Sequence, residues 1–502
     1  MASIAPRWMR AETSPSEKQH VAVRADREIG VVRPEFHGQF AEHLGSCIYG
    51  GLWVGNNSAI PNIRGYRKQA VEYLNELGVP VLRWPGGCFA DAYHWQDGIG
   101  PASKRPKRVN INWGGYVEDN SFGTHEYIGL CRLIGAEPYI AGNVGSGSPV
   151  ELQRWVEYCN FPSGSTLSDE RAANGSSEPF RVRYWGVGNE SWGCGGDMRP
   201  EQYADDYRQF ANYIKAYGGT TPFLIASGPS GNDVHWTRGL LDHTADDLPN
   251  GISMHDYSGG AAEPTYFNVS QMNEQLSNFS HMEAAIVQQR AILDGYRHGK
   301  QVGLVLDEWG VWDKIVPEEA KRNGALWQQS TMRSAVAAGL GLNVFNRQAD
   351  KLYMCNIAQI MNVLQSLLLT DGPQGTQCIR TTTYYAFALF KAHRSQMSVD
   401  VDTGDSSPLA LSISASKAAN QLAVSFVNPH AEGEMEIECD LFGANARSVS
   451  AQILHDTDQN ACNSFEDPNR IVPKTHPARI ENGKLMLDLP ALSVATASVQ
   501  IA

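Results

Sequence analysis

The sequence predicts an α/β protein, a (β/α)8 barrel followed by an antiparallel β-sandwich of jelly-roll type. Three observations support this fold. Short β-rich apolar runs alternate with amphipathic helical patterns over most of the chain, polar residues close each of those runs, and the last part of the chain alternates with period two. At 502 residues the chain exceeds the usual size of one hydrophobic core, so we expect at least two domains.

We predict the barrel over residues 35–385. Patterns such as YRKQAVEYLNELG and PEQYADDYRQFANYIKAYG are typical of helices, and eight strand candidates surround them: EFHGQFAEHL, PVLRWPGG, EPYIAGNVG, VRYWGVGNE, PFLIASG, GISMHDY, VGLVLDEWG and KLYMCNIAQ. Eight strands alternating with helices over about 350 residues favour a closed barrel over an open doubly wound sheet. The carboxyl ends of these runs carry Glu, His, Arg, Asn, Tyr or Gln, and barrel enzymes place their catalytic groups there.

We predict the β-sandwich over residues 386–502. The runs LALSISAS, QLAVSFVNP, EMEIECDLF, SVSAQIL, KLMLDLP and SVATASVQI alternate with period two between turn residues, whereas residues 456–476 are polar and predict a loop. The stretch HVAVRADREIGVVRP has the same alternation. We therefore expect the N-terminal segment, residues 1–34, to contribute a strand to the sandwich.

Composition restricts the partners and the compartment. The net charge of −13 argues against nucleic acid, and no apolar run reaches the roughly 20 residues that would span a membrane. The N-terminus resembles neither a secretory signal nor a transit peptide. Nine cysteines without CxxC pairs indicate neither a zinc site nor a full disulfide framework. We expect a cytoplasmic protein.

Glu190 is the first candidate catalytic residue. It lies in the run YWGVGNESW, directly after Asn189, at the end of the fourth predicted strand. A carboxylic acid that protonates a glycosidic oxygen must stay protonated near neutral pH, which requires partly apolar surroundings such as the neighbouring aromatic residues. An isolated Asn-Glu pair is usually an ordinary turn, but its position at a barrel strand end favours catalysis.

Glu308 is the second candidate, at the end of the seventh predicted strand in LVLDEWGVW. The ends of strands four and seven face each other across a barrel mouth, so Glu190 and Glu308 can act on one bond. Two carboxylates about 5 Å apart are the requirement of retaining glycoside hydrolysis. A surface glutamate in a salt bridge is the alternative, but an apolar run leads directly into this one.

Other polar residues at predicted strand ends indicate a pocket for a sugar ring. Each of them alone is more often structural, whereas together they offer the directed donors and acceptors that sugar hydroxyls need. They are Glu42, His43, Arg83, Asn143, His255, Tyr257 and Gln359.

The segments FAEHLGSCIYGGLWVG, LRWPGGCFADAYHWQDGIGP, GVGNESWGCGG, SMHDY and DEWGVW together resemble the α-L-arabinofuranosidases of glycoside hydrolase family 51. The resemblance extends from about residue 20 to the C-terminus. It implies a barrel with an appended β-sandwich, with Glu190 as acid/base and Glu308 as nucleophile. It also implies an arabinofuranosyl-binding set comprising Glu42, Arg83, Asn189, Tyr257 and Gln359, with Trp113 and Trp312 lining the pocket.

Cys88 departs from the family pattern, since many members have Asn after RWPGG. We include it among the substrate-binding candidates. Cys194 follows Glu190 by four residues, and we hypothesise that Cys88 and Cys194 approach each other near the pocket. A reducing cytoplasm disfavours a disulfide, so whether they bond is left open.

The expected activity is exo-acting removal of terminal α-L-arabinofuranosyl residues from arabinose-containing oligosaccharides by double displacement. It needs no metal or organic cofactor. The alternatives are a β-xylosidase or an endo-β-1,4-glucanase of the same barrel clan and, from another class, a non-catalytic carbohydrate-binding protein. The resemblance also suggests a homo-oligomer.

Overall fold

The computed structural model describes residues 17–244, 247–260 and 262–502. The predictions made for the extreme N-terminus, including the first 16 residues of the predicted strand-donating segment, lie outside this range. Within the described ranges, no helix is both long and apolar enough to cross a membrane.

A closed barrel of eight parallel strands forms the larger part of the molecule, which confirms the predicted fold class. Each strand coincides with one of the eight predicted runs, although β6 and β7 each extend two residues beyond theirs. Each pairs with the next along the chain, and β8 closes the barrel onto β1. The strands are β1 (Gly38–Phe40), β2 (Val81–Trp84), β3 (Glu137–Gly142), β4 (Tyr184–Val187), β5 (Phe223–Ala226), β6 (Gly251–Gly259), β7 (Gly303–Trp312) and β8 (Leu352–Ala358).

Most of the helices around the barrel bury one face. Helix Lys68–Leu77 is representative: it buries Ala70, Val71, Leu74 and Leu77, which share one face of a 3.6-residue repeat, and it ends at Gly78 in the left-handed conformation. The other α-helices are Thr124–Ile134, Pro149–Asn160, Thr166–Ala173, Pro200–Tyr213, Val234–Thr244, Val269–Asp294, Pro317–Asn323, Met332–Arg347 and Thr382–Phe390.

Helix Met332–Arg347 is buried over nearly its whole length, as is helix Thr382–Phe390. It packs against β7 on one side and against strands of the second domain on the other. Its run of Ala, Gly, Leu and Val therefore lacks the polar stripe of a surface helix.

The inside of the barrel has two layers. Apolar and aromatic side chains from six strands fill the amino-terminal part: Val81, Tyr139, Tyr184, Ile225, Val305 and Met354. Above them the hydroxyl of Tyr139 donates to Oδ2 of Asp307 at 2.8 Å, where the polar layer begins. The amino-terminal part of the barrel interior is therefore filled by side chains, and the polar groups lie at the carboxyl ends of the strands.

The second domain is a ten-stranded sheet around its own apolar core. In spatial order its strands are Lys474–His476, Ala446–His455, Ser493–Ile501, Gln421–Asn428, Ser412–Ala418, Met397–Asp402, Glu17–Val31, Met435–Phe442, Lys484–Leu489 and Ala478–Glu481.

Pairing in this sheet is antiparallel except between Glu17–Val31 and Met435–Phe442, which run parallel because the N-terminal strand enters from outside the local hairpins. Lys474–His476 is a short strand within the predicted loop. The domain boundaries at residues 34 and 385 stay predictions.

Candidate active site

Glu190 follows β4 in an uncommon backbone conformation. Its φ is +41°, in the left-handed region that glutamate rarely occupies, and Gly188 two residues earlier has φ +85°. A side chain at Gly188 would contact Ser191 and Val144. Residues in such conformations concentrate at functional sites, and here the carboxylate lies at the barrel mouth beside His255.

The two oxygens of Glu190 have different neighbours. Nδ1 of His255 donates to Oε1 at 2.8 Å. Oε2 instead faces sulfur, at 3.4 Å from Sγ of Cys194 and 3.8 Å from Sγ of Cys88. The side chain is about one fifth exposed, so a substrate can reach it.

Glu308 lies in β7, is buried, and is held at both oxygens. Nη1 of Arg83 donates to Oε1 at 2.7 Å, and the hydroxyl of Tyr257 donates to Oε2 at 2.8 Å. Arg83 also donates to Oδ1 of Asn189, the neighbour of Glu190. One buried arginine therefore connects Glu308 to the segment that carries Glu190.

The two carboxylates lie close together across the barrel mouth. An oxygen of Glu190, a ring nitrogen of His255 and an oxygen of Glu308 are all within 4.8 Å of one another. An inverting site needs room for a water between the substrate and the second carboxylate, and this separation is too short for that. It is close to the spacing of the carboxylates in retaining sites.

His255 supplies positive charge between the carboxylates. Burial alone would lower its pKa, but the charges of Glu308 and Asp307 raise it to about 10. Its Nε2 lies 3.0 Å from Oδ1 of Asp307. Burial would raise the pKa of Asp307, but Arg83 and His255 outweigh it and lower that pKa. His255 is accordingly an imidazolium at neutral pH, with both ring nitrogens acting as donors.

Glu42 forms the other wall of the site. Its Oε1 accepts from the backbone N–H of Phe89 and from Nε1 of Trp113, both at 3.0 Å, and its Oε2 accepts from Nε2 of Gln359 at 3.2 Å. Burial, reinforced by the charge of Glu308, raises the pKa of Glu42 to about 7. A Cβ on Gly87 would lie 2.9 Å from Oε1 of Glu42, so the close approach of the RWPGG segment requires glycine there.

All ten residues that the sequence analysis assigned to catalysis or substrate binding lie in this region. Trp312 completes the set, with its ring 5.3 Å from that of Tyr257 in an edge-to-face arrangement. Cys88 and Cys194, whose bonding the sequence left open, form a disulfide with a Cα separation of 5.5 Å.

Two of the strand-end residues face elsewhere. His43 is buried between Glu118, which it meets at 3.1 Å, and the indole of Trp84, so it is structural. Asn143 shapes its own loop by bonding Ser146 and a backbone carbonyl. A polar residue at a strand end can thus close a loop instead of binding a substrate.

Sequence reasoning missed Asp91 and Asp307. Asp91 accepts from the backbone N–H groups of Val144 and Gly145 with Oδ1 and of Asn189 with Oδ2, at 2.7, 2.8 and 2.9 Å. It therefore ties the loop after β3 to the segment that carries Glu190. Its only sequence signal is an acidic residue in the short turn after RWPGG.

Two clusters have metal-ligand geometry among the described residues: Cys88, Glu190 and Cys194, and Glu190, His255 and Glu308. The sulfurs of a disulfide are not thiolates, and a protonated imidazole has no free lone pair. In the form described, neither donor set suits a metal ion.

A closed barrel with two facing carboxylates within 4.8 Å defines a glycoside hydrolase of the barrel type. Comparisons with known proteins specify the family. The profile of the α-L-arabinofuranosidase C-terminal domain matches residues 307–493, and that of the α-L-arabinofuranosidase 1 domain matches residues 73–284. The chain belongs to the α-L-arabinofuranosidases of glycoside hydrolase family 51.

Relatives resemble the chain over nearly its whole length. An intracellular exo-α-L-arabinofuranosidase of Bacteroides ovatus is 43% identical over 97% of this chain and 96% of its own. The structure of a family 51 arabinofuranosidase from Xanthomonas axonopodis pv. citri has a TM-score of 0.92 and 39% identity, covering 96% of this chain and all of that one. An arabinose complex of the Thermotoga maritima α-L-arabinofuranosidase has a TM-score of 0.85 and 27% identity over the same shares.

Proposed function

We propose that this protein is a retaining, exo-acting α-L-arabinofuranosidase that removes terminal non-reducing α-L-arabinofuranosyl residues from arabinose-containing oligosaccharides. The observation that carries the proposal is the 4.8 Å limit on the separation of the Glu190 and Glu308 oxygens. It suits direct attack by one carboxylate while the other protonates the leaving oxygen.

Glu308 is the nucleophile in this scheme. Arg83 and Tyr257 orient its two oxygens, so the carboxylate is aimed before substrate binds. Attack on the anomeric carbon forms an ester with Glu308 while the bond to the leaving oxygen breaks. Glu190 gives its proton to that oxygen, and the aglycone departs as an alcohol.

Glu190 then acts as the base. It takes a proton from water, whose oxygen attacks the anomeric carbon and displaces the Glu308 carboxylate. Two inversions give net retention. Since Oε1 of Glu190 already accepts from His255, Oε2 is the oxygen that carries the transferred proton in both steps.

The remaining candidates bind the sugar ring in this proposal. Glu42, Arg83, Asn189 and Gln359 offer directed polar groups to its hydroxyls. Tyr257 orients the nucleophile, the half-buried indoles of Trp113 and Trp312 line the pocket, and Cys88 borders it as part of the disulfide.

The cellular setting is part of the proposal. The Bacteroides ovatus relative is named intracellular, and we infer a cytoplasmic location for this chain, with short oligosaccharides as substrates. We also infer a homo-oligomer, and the net charge of −13 argues against nucleic-acid partners.

The test compares hydrolysis of 4-nitrophenyl α-L-arabinofuranoside with that of the β-D-xylopyranoside and the β-D-glucopyranoside. We expect strong preference for the arabinofuranoside, with Glu308→Ala nearly inactive. Glu137→Ala is the matched control, because Glu137 is exposed at the opposite end of the barrel. Preference for either pyranoside would contradict the substrate assignment.

A second comparison assigns Glu190. General acid catalysis contributes about 10²–10⁴ in rate, and only poor leaving groups depend on it fully. Glu190→Ala should therefore slow cleavage of methyl α-L-arabinofuranoside far more than that of the 4-nitrophenyl substrate. Equal losses on the two substrates would contradict the role of Glu190.

A further inference from the structure

The Cys88–Cys194 disulfide lies at the mouth of the barrel beside Glu190. It joins the turn after β2 to the loop after β4, and both sulfurs face Oε2 of Glu190, at 3.8 and 3.4 Å. Oε2 is also the oxygen on which the proposed mechanism needs the proton. We propose that this disulfide keeps Oε2 of Glu190 free of hydrogen-bond donors, and that its reduction to two thiols weakens proton donation to the leaving group. The inference rests on the proposed function.

The two oxygens of Glu190 have different partners, and this difference supports the proposal. Nδ1 of His255 donates to Oε1 at 2.8 Å, and the neighbouring carboxylates keep His255 protonated, so Oε1 is occupied at neutral pH. The described contacts of Oε2 are with the two sulfurs alone. A disulfide sulfur carries no hydrogen, so nothing on that side favours the ionised carboxylate over the acid.

Reduction changes the chemistry of that side. A dithiol transfers two electrons and two protons, its own sulfurs become a disulfide, the Cys88–Cys194 bond breaks, and each cysteine gains an S–H group. Two weak donors then lie within reach of Oε2. Donors to a carboxylate favour its ionised form, so the protonated acid is lost at a lower pH than in the oxidised enzyme.

The disulfide also restrains the surrounding loops. Nδ2 of Asn112 donates to the backbone carbonyl of Cys88 at 2.9 Å, and the adjacent Trp113 donates to Glu42. Breaking the bond could therefore act by loosening loops rather than by adding donors, and the variants below separate the two effects.

The experiment measures kcat/KM against pH for the oxidised enzyme and for enzyme reduced with dithiothreitol, with methyl and 4-nitrophenyl α-L-arabinofuranosides. On the methyl substrate we expect the basic limb of the pH profile to move to lower pH on reduction. Above the pH optimum, kcat/KM should fall by roughly 3- to 10-fold, because that is the effect of one or two weak hydrogen bonds. The 4-nitrophenyl substrate should change little.

Two double variants identify the cause. Cys88→Ser/Cys194→Ser has hydroxyl donors without the bond, and we expect its basic limb to lie at the lower pH whether or not dithiothreitol is present. Cys88→Ala/Cys194→Ala lacks both bond and donors, and we expect its basic limb where the oxidised enzyme has it. Cys462→Ser, at a free cysteine of the second domain, controls for reduction elsewhere and should respond to dithiothreitol as the parent does.

Two results would overturn the inference. One is a basic limb on the methyl substrate that reduction leaves in place. The other is an equal displacement in both double variants, which would assign the effect to the loops. Failure of the proposed function is distinguishable, because the oxidised enzyme would then not cleave 4-nitrophenyl α-L-arabinofuranoside in a Glu308-dependent way.

Discussion

Replacing His255 with asparagine should destabilise the folded protein by several kcal/mol at neutral pH and by much less above pH 10. The perturbation removes a buried cation that lies 2.8 Å from Glu190 and 3.0 Å from Asp307. Asparagine carries no charge and cannot reach both partners.

Two estimates of the magnitude agree. Raising the pKa of His255 from 6.5 to about 10 corresponds to about 5 kcal/mol of preferential binding of the proton by the folded state. Removing one partner of a buried ion pair typically costs about 3–5 kcal/mol. Either value is a large fraction of the roughly 5–15 kcal/mol by which folded proteins are stable.

The sign of the pH dependence follows from the direction of the shift. A group whose pKa is raised on folding contributes its full stabilisation below the unfolded value of 6.5. That contribution declines as pH rises and is lost once pH passes the folded value of about 10. The difference between wild type and His255→Asn should therefore be large at pH 6.5 and small at pH 10.5.

Urea unfolding at pH values from 6.5 to 10.5 measures this difference. His393→Asn is the matched control, because His393 is also buried, bonds Ser416 and Ser425, and has a pKa that burial lowers to about 3. It is neutral above pH 7.5 in both states, so its cost should not vary from there upward. A His255→Asn difference that stays constant across the range would refute the assignment of positive charge to His255.

Two further substitutions test the supports of the site. Asp91→Asn should cost about 1–3 kcal/mol of stability and lower kcat on the methyl arabinofuranoside, because the NH2 group of the new amide would face one of the backbone N–H groups that now donate to Asp91, such as that of Asn189. Urea unfolding and kinetics measure the two effects, and unchanged values would contradict this role of Asp91. Trp113→Phe removes one donor to Glu42 and should raise KM about 5-fold, which corresponds to about 1 kcal/mol of binding free energy, with kcat nearly unchanged. A fall in kcat alone would contradict a role of Trp113 in binding the sugar ring.

The strands and the positions of both candidate catalytic glutamates could be predicted because their signals are local. An apolar run that ends in a polar residue marks the end of a barrel strand, and the order of strands in a closed barrel places the ends of β4 and β7 opposite each other. The strand-end pattern could not separate His43 from His255, since the difference lies in neighbours distant in sequence: Glu118 and Trp84 for the first, Glu190 and Asp307 for the second.

The role of Asp91 could not be predicted from the sequence for the same reason. Its function is to accept three backbone N–H groups, two from the loop after β3 and one at Asn189. Nearly every residue has a backbone N–H group, whatever its side chain. The sequence therefore does not show which side chain will accept a hydrogen bond from a given backbone N–H.

Asp307 shows how a departure from regular geometry hides a functional residue. Successive residues of a strand point to opposite sides, so Asp307 and Glu308 should not face the same centre. The pairing of β7 is irregular on both sides here: two residues of β7 stand against one of β6 between Ser253 and His255, and against one of β8 after Leu306. This bulge lets both carboxylates meet Arg83, Glu308 at 2.7 Å and Asp307 at 3.5 Å. With Asp307 turned inward, His255 gains the second anion that keeps it protonated, so the charge balance of the whole site depends on one extra residue in β7.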